Sequence, residues 1–203
     1  MARNLNPRAK RSRRLGEKLT THGEKAFSRR PYPPGQHGPK GAGRSSEYGI
    51  RLREKQKAQL VYGILERQFR KYVESARNKV GDTGQVLLHM LEFRLDNIVF
   101  RAGFAPSREA ARQLVRHGHV TVNGRRVTIP SYTVRSNDLV SIHPTTKNRA
   151  IYGQLTKTLE SYQAPAWIDL NKGQVTAKIL GAPTIEEISS NINPQLIVEF
   201  YSR

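Results

Sequence analysis

Cysteine is absent from the 203 residues, so the chain can form neither a disulfide nor a thiolate zinc site. That fits a reducing compartment. Acidic residues are scarce: 16 Asp and Glu stand against 35 Lys and Arg, a net charge of +19. Solubility asks for far less, and such an excess implies a polyanionic partner, either nucleic acid or an anionic membrane. Long apolar runs are missing too. None approaches the roughly 18 residues that cross a bilayer, and the opening MARNLNPRAKRSRR lacks the apolar middle of a secretory signal. Its prolines and asparagines, with no apolar helical face, also argue against an organelle transit peptide. The expectation is a soluble protein that is not exported. There is no Gly-rich phosphate loop with Lys-Ser or Lys-Thr, and no Ser nucleophile in a recognisable setting.

What is present is positive charge, concentrated in two places. Residues 1–60 carry 16 basic and 4 acidic groups and residues 101–150 carry 9 and 2, while the segments between and after them are near balance. Residues 1–44 are dense in Arg, Lys, Gly and Pro, as in PYPPGQHGPKGAG at 31–43, without helical or strand periodicity. Such a segment is expected to fold only against its partner. From Ser45 or Ser46, either placed as a cap, one helix is predicted through about Asn78, with an apolar stripe of Tyr62, Leu65, Phe69, Tyr72 and Val73. Arg51, Arg53, Lys55 and Lys57 stud it, and Gly63 within it reads as close packing or a mild kink. A second helical stretch covers 84–103 and a third 107–117, capped by Ser107 and stopped by Gly118. Strands are predicted at 120–122 and 126–129 around a type I′ turn at Asn123-Gly124, at 132–134 and at 139–142, with a last hairpin over 167–180. The terminal NPQLIVEFYSR reads as a short helix or strand.

Within the second basic segment, Arg108, Arg112 and Arg116 recur every four residues, which on a helix makes a stripe about 80° wide and about 12 Å long. Ala111, Leu114 and Val115 are placed on the other side, so the arginines are expected to stay clear of the core. Arg125 and Arg126 return alongside after the turn. A row of planar, permanently charged guanidinium groups suits a phosphodiester backbone. RNA is preferred to duplex DNA because no helix carries Asn or Gln readers for a major groove. His117 and His119 flank Gly118 beside Arg116, and with no carboxylate or third ligand near they suit phosphate or sugar rather than a metal.

The segment LEFRLDNIVFRAGFAPSREAARQLVRHGHVTVNGRRVTIPSYTVRSNDLVSI, 91–142, closely resembles the small RNA-binding module named after ribosomal protein S four. Outside it, PGQHG at 34–38, YGIRLREKQKAQLVYGILERQFRKY at 48–72 and the terminal LIVEFYSR are similar to that ribosomal protein family itself, so the resemblance covers nearly the whole chain. It implies an α+β protein, a mostly helical domain with an inserted RNA-binding module of helices packed on a small antiparallel sheet. The implied divisions are a basic extension at 1–44 ordered by RNA, a helical domain at 45–92 completed by about 181–203, and an inserted domain at 93–180 with the module at about 94–156. Some relatives hold zinc through cysteines in the N-terminal segment. This chain has none, so no metal and no other cofactor is expected and RNA must order that region.

The same resemblance implies a structural constituent of the small ribosomal subunit, in a bacterial cytoplasm or a plastid stroma. It would be a primary binder of a helix junction in the 5′ domain of the small-subunit rRNA, nucleating assembly, touching neighbouring proteins where mRNA enters and influencing decoding accuracy. The residues expected at the rRNA are Arg44, Tyr48, Arg51, Arg53, Lys55, Lys57, Arg67, Arg70, Arg108, Arg112, Arg116, His117, His119, Asn123, Arg125 and Arg126. In the extension they are Arg3, Lys10, Arg13, Arg14, Gly35, Gln36 and His37. No membrane and no small-molecule substrate is expected. RNA-modifying enzymes carry a similar module, and Arg94-Leu95-Asp96 echoes a pseudouridine synthase motif. Here that tripeptide lies inside the module and no chain remains for a catalytic domain, so Asp96 is expected to be a helix-surface partner of a nearby arginine and the protein not an enzyme.

Overall fold

The computed structural model describes residues 6–19, 21–41, 43, 45–147, 150–184, 186–188 and 192–202. In chain order its helices are α1 (Arg8–Leu15), α2 (Thr21–Arg29), α3 (Glu47–Tyr62), α4 (Glu66–Arg77), α5 (Thr83–Glu92), α6 (Leu95–Arg101), α7 (Arg108–Arg116), α8 (Pro144–Lys147), α9 (Ala150–Glu160) and α10 (Pro194–Tyr201). The strands are β1 (Val120–Val122), β2 (Arg125–Arg126), β3 (Leu139–Ile142), β4 (Ile168–Asn171) and β5 (Thr176–Ile179). They form one antiparallel sheet of order β2-β1-β3-β5-β4. The fold is α+β, and two compact units share the chain: Met1–Leu87 with Ser190–Arg203, and Leu88–Ser189. Among the described residues no helix is long and apolar enough to cross a membrane.

In the first unit, α3, α4 and α10 bury Leu60, Val61, Phe69, Val73 and Ile197. Ser46 caps α3, its Oγ accepting from the Gly49 amide at 3.2 Å. The single helix predicted over 45–78 is two, because Gly63 enters the left-handed region (φ 63°) and closes α3. Gly63 is therefore a stop signal and not a packing site within a helix. The C-terminal segment is helical. Asn193 caps it through a 3.0 Å bond from the Gln195 amide, and Pro194 at the first turn needs no amide partner.

Within residues 1–44, where no helical periodicity marks the sequence, the described part holds α1, α2 and a 3-10 turn at Gly38–Lys40. Arg and Lys are good helix formers even where no apolar stripe marks the helix. Arg13 then ties α1 to the following loop: its Nε donates to the carbonyls of Arg30 and Tyr32 at 3.0 Å, and its guanidinium lies 5.1 Å from the Tyr32 ring. In PGQHG, a Cβ on Gly38 would overlap the carbonyl oxygen of Pro33, so only glycine lets that turn close.

The second unit packs α6, α7 and α9 with one face of the sheet. Val120 pairs with Ile142, Val122 with Val140, Val140 with Ala177 and Ile168 with Ile179, and all are buried. Asn123 and Gly124 both have positive φ (50° and 79°), as the type I′ turn requires. The second strand is shorter than predicted and 132–134 contributes only a single bridge, Arg94 to Thr133. The reason is that this stretch crosses the start of α6, where the amides of Leu95 and Asp96 donate to the carbonyls of Tyr132 and Pro130. The helical stretch predicted over 84–103 is likewise split there into α5 and α6. α9 was not anticipated from the sequence.

Candidate nucleic-acid interface

The break between α5 and α6 turns charged side chains inward. Arg94, in extended conformation, reaches back through Nε and Nη2 to Asp96 at 3.0 and 2.7 Å. Glu92 has no solvent exposure; its carboxylate accepts from Arg101 Nε and Nη2 at 3.0 Å each and from Asn97 Nδ2 at 2.7 Å. Asn97 Oδ1 in turn accepts from Arg108 Nε at 2.8 Å. Charges buried this deeply persist only when each is matched. Asp96 is indeed an arginine's partner, but it is buried and not on the helix surface as the sequence suggested.

This network captures two members of the arginine stripe. Arg108 lies 4.5 Å above the Phe100 ring while it bonds Asn97, and Arg112 leans toward Asp96, Nη1 to Oδ2 at 3.9 Å. Neither stands clear of the core as expected. At about 100° per residue, Val115 falls only about 20° from Arg108, so the stripe borders the buried side of α7 instead of opposing it. Arg116, about 80° further round, is exposed. Ser107 caps the helix, its Oγ accepting from the Ala110 amide at 3.3 Å, and Gly118 ends it with φ 72°.

Beyond Gly118 the hairpin returns. The Arg126 guanidinium passes over Gly118, where a Cβ would overlap it, and Nη2 donates to the His117 carbonyl at 3.1 Å. Arg125, Arg126 and His117 are exposed. His119 is half-buried, its Nδ1 2.9 Å from Thr146 Oγ1. Asn123, expected at the RNA, spends its amide inside the protein: Nδ2 donates to Asp138 at 2.8 Å and Oδ1 accepts from the Leu139 amide at 2.8 Å. Asp138 also accepts from the Arg135 amide at 2.8 Å, so it ties both turns together and carries the exposed Arg135 beside them. Arg135 went unnoticed in the sequence because it belongs to no periodic row.

In the first unit, Arg51, Arg53, Lys55 and Lys57 cannot share a face, since steps of two residues alternate across a helix by about 200°. Arg53 is exposed. Arg51 bonds Glu199 at 2.7 Å, and Lys57, 4 % exposed, contacts Glu17 at 2.7 Å. Lys55 contacts Glu66 at 2.9 Å and lies 4.4 Å from the Phe200 ring. Three of the four are thus engaged within the chain. Arg67 is exposed; Arg70 is exposed and pairs with Glu74 at 3.0 Å. Tyr48 is exposed, its ring 5.5 Å from Phe200. In the N-terminal segment Lys10, Arg14, Gly35, Gln36 and His37 are exposed, whereas Arg13 is the internal tie described above. Arg3 and Arg44 lie outside the described residues.

Glu66 gathers Lys55, Gln59 and Tyr201. Burial pushes its carboxyl up, but hydrogen bonds from Tyr201, Lys55 and Gln59 outweigh this and hold it below the usual carboxylate range. Burial and then Glu66 itself push the Tyr201 phenol up, so it remains the donor. A depressed carboxyl stabilises the fold above its unfolded value and loses that contribution as pH falls through the folded one. Glu66→Gln should therefore flatten the acid limb of a stability profile measured by urea titration from pH 7 down to 3. With Glu66 53 % exposed, the loss at neutral pH should stay under about 1 kcal/mol.

Among the described residues no group of three or more His, Cys, Asp or Glu could hold a metal. The buried partners Glu92, Asn97 and Arg101 escaped sequence reading, although two acids and two arginines between 92 and 101 in an otherwise apolar stretch were a visible signal. The family model described as S4 domain matches residues 93–140, and that described as Ribosomal protein S4/S9 N-terminal domain matches 3–92. Proteins named small ribosomal subunit protein uS4 from Roseiflexus castenholzii, Thermus thermophilus and Cutibacterium acnes are each 48% identical, with 100% of both chains covered. With its inserted α-helical and antiparallel unit, its cationic α7 corner and this full-length similarity, the chain belongs to the uS4 family of ribosomal proteins, which is structural and not enzymatic.

Proposed function

We propose that the chain is a structural constituent of the small ribosomal subunit and binds small-subunit rRNA directly. The observation that carries this is the corner formed by α7 and the β1–β2 hairpin. Arg116, His117, Arg125 and Arg126 project from backbone that Gly118, Asn123 and Asp138 hold in place. Cations fixed this way meet phosphates without first losing loop entropy. On the first unit, Arg53, Arg67, Lys10 and Arg14 supply further exposed charge. Arg108, Arg112, Lys55 and Lys57 serve mainly to hold the elements that present it.

The finer reading is that the rRNA target is a helix junction in the 5′ domain and that binding there nucleates subunit assembly. The protein would then contact neighbouring ribosomal proteins where mRNA enters and contribute to translational accuracy, on the ribosomes of a bacterial cytoplasm or a plastid. Full-length similarity to proteins named uS4 supports this. Filter binding tests it, with small-subunit rRNA and an unrelated structured RNA of equal length at rising salt. Tight binding to the rRNA should survive where the control is lost; parallel loss of both would reduce the charge to a nonspecific field.

A further inference from the structure

The second unit contains a cleft of about 490 Å³ between the end of α6, one side of α7 and α9. Its walls include Phe100, Phe104, Leu114 and Tyr162. We propose that this cleft takes one unstacked nucleobase of the bound RNA, an inference that rests on the rRNA-binding reading above.

A nucleobase has two apolar faces, a polar edge and a phosphate on either side, and the cleft offers a counterpart to each. The aromatic and aliphatic walls suit the faces, since base stacking on protein rings tolerates any base. Gln113 on α7 and His117 just after it, both exposed and both lining the cleft, suit the edge, because amide and imidazole groups both donate and accept. One cation stands beside the cleft, since Arg126 bonds the carbonyl of the lining residue His117. A partner protein's apolar side chain would use the walls but would leave Gln113, His117 and the neighbouring Arg126 unmatched.

The wall formed by Tyr162 is set in advance. Its hydroxyl donates to the Arg101 carbonyl at 3.0 Å. Its ring packs on Gly103, where a Cβ would stand 2.6 Å from Cδ1. Gly103 also has φ 77°, so a larger residue there is excluded by conformation and by space. A ring fixed at both ends stacks on a base without first being ordered.

Ala110→Trp would fill the cleft from α7 and leave the cationic corner in place. The expected result is about tenfold weaker binding of small-subunit rRNA by the full chain, within the range that one lost stacking contact produces. Ultraviolet crosslinking of the wild-type chain to the same RNA tests the contact without relying on the variant's folding, and crosslinks are expected at Phe100, Phe104 or Tyr162. Unchanged affinity in Ala110→Trp, with crosslinks confined to other residues, would overturn the inference and leave the cleft to an apolar segment of a partner protein. If the wild-type chain itself fails to prefer the rRNA over the control RNA, the rRNA-binding reading falls instead.

Discussion

Glu92→Ala should destabilise the second unit by about 3–5 kcal/mol, the usual cost of removing one partner from a buried ion pair. Glu92 is fully buried and is the shared acceptor for Arg101 and the Asn97 amide. Without it, a guanidinium 8 % exposed loses the carboxylate beside it. The loss should be cooperative, because Asn97 also orients Arg108 through a 2.8 Å bond. Urea denaturation followed by Trp167 fluorescence reads the unit concerned, since Trp167 is buried in its core. A change below about 1 kcal/mol would mean that water replaces the lost carboxylate and that the network is not closed. Glu92→Gln, which keeps the shape and one acceptor, should fall between the two.

The largest effect on RNA binding is expected from Arg116→Ala, Arg125→Ala and Arg126→Ala combined. Each exposed arginine stands for about one phosphate contact, so the slope of log affinity against log salt should flatten by about two to three. The comparison that gives this meaning is Arg108→Ala with Arg112→Ala. Those side chains are held to Asn97 and Asp96, so their loss should lower stability while moving the salt slope by less than about one. Equal flattening by both variants would return the whole stripe to the RNA surface.

That contrast also marks what the sequence could and could not say. Ser46, Ser107, Asn193 and the Asn123-Gly124 turn act locally, through bonds spanning two or three residues or through a φ only certain residues adopt, and such signals are readable in a string. The seating of α7 is not, because Arg108 and Val115 are separated by seven residues yet only about 20° apart around the axis. Whether they oppose or adjoin depends on where the core is. The same holds for Lys55 and Lys57, whose partners Glu66 and Glu17 lie on other elements. α9 escaped because AIYGQLTKTLE mixes β-branched residues, Thr and Gly in a way that local propensity leaves undecided. Glu92 to Arg101 joins residues across a helix break that the apolar pattern ran straight through.

The unit that begins the chain also ends it, and α10 supplies Glu199 to Arg51, Tyr201 to Glu66 and the Asn193 amide to Glu54. During synthesis, those partners must therefore wait while the roughly one hundred residues of Leu88–Ser189 are made, about 5–20 s at ordinary elongation rates. The inserted unit has its whole core before the first unit has its last helix. Deleting residues 190–203 would accordingly remove the partners of Arg51, Glu54 and Glu66 and leave every residue of the α7 corner in the chain.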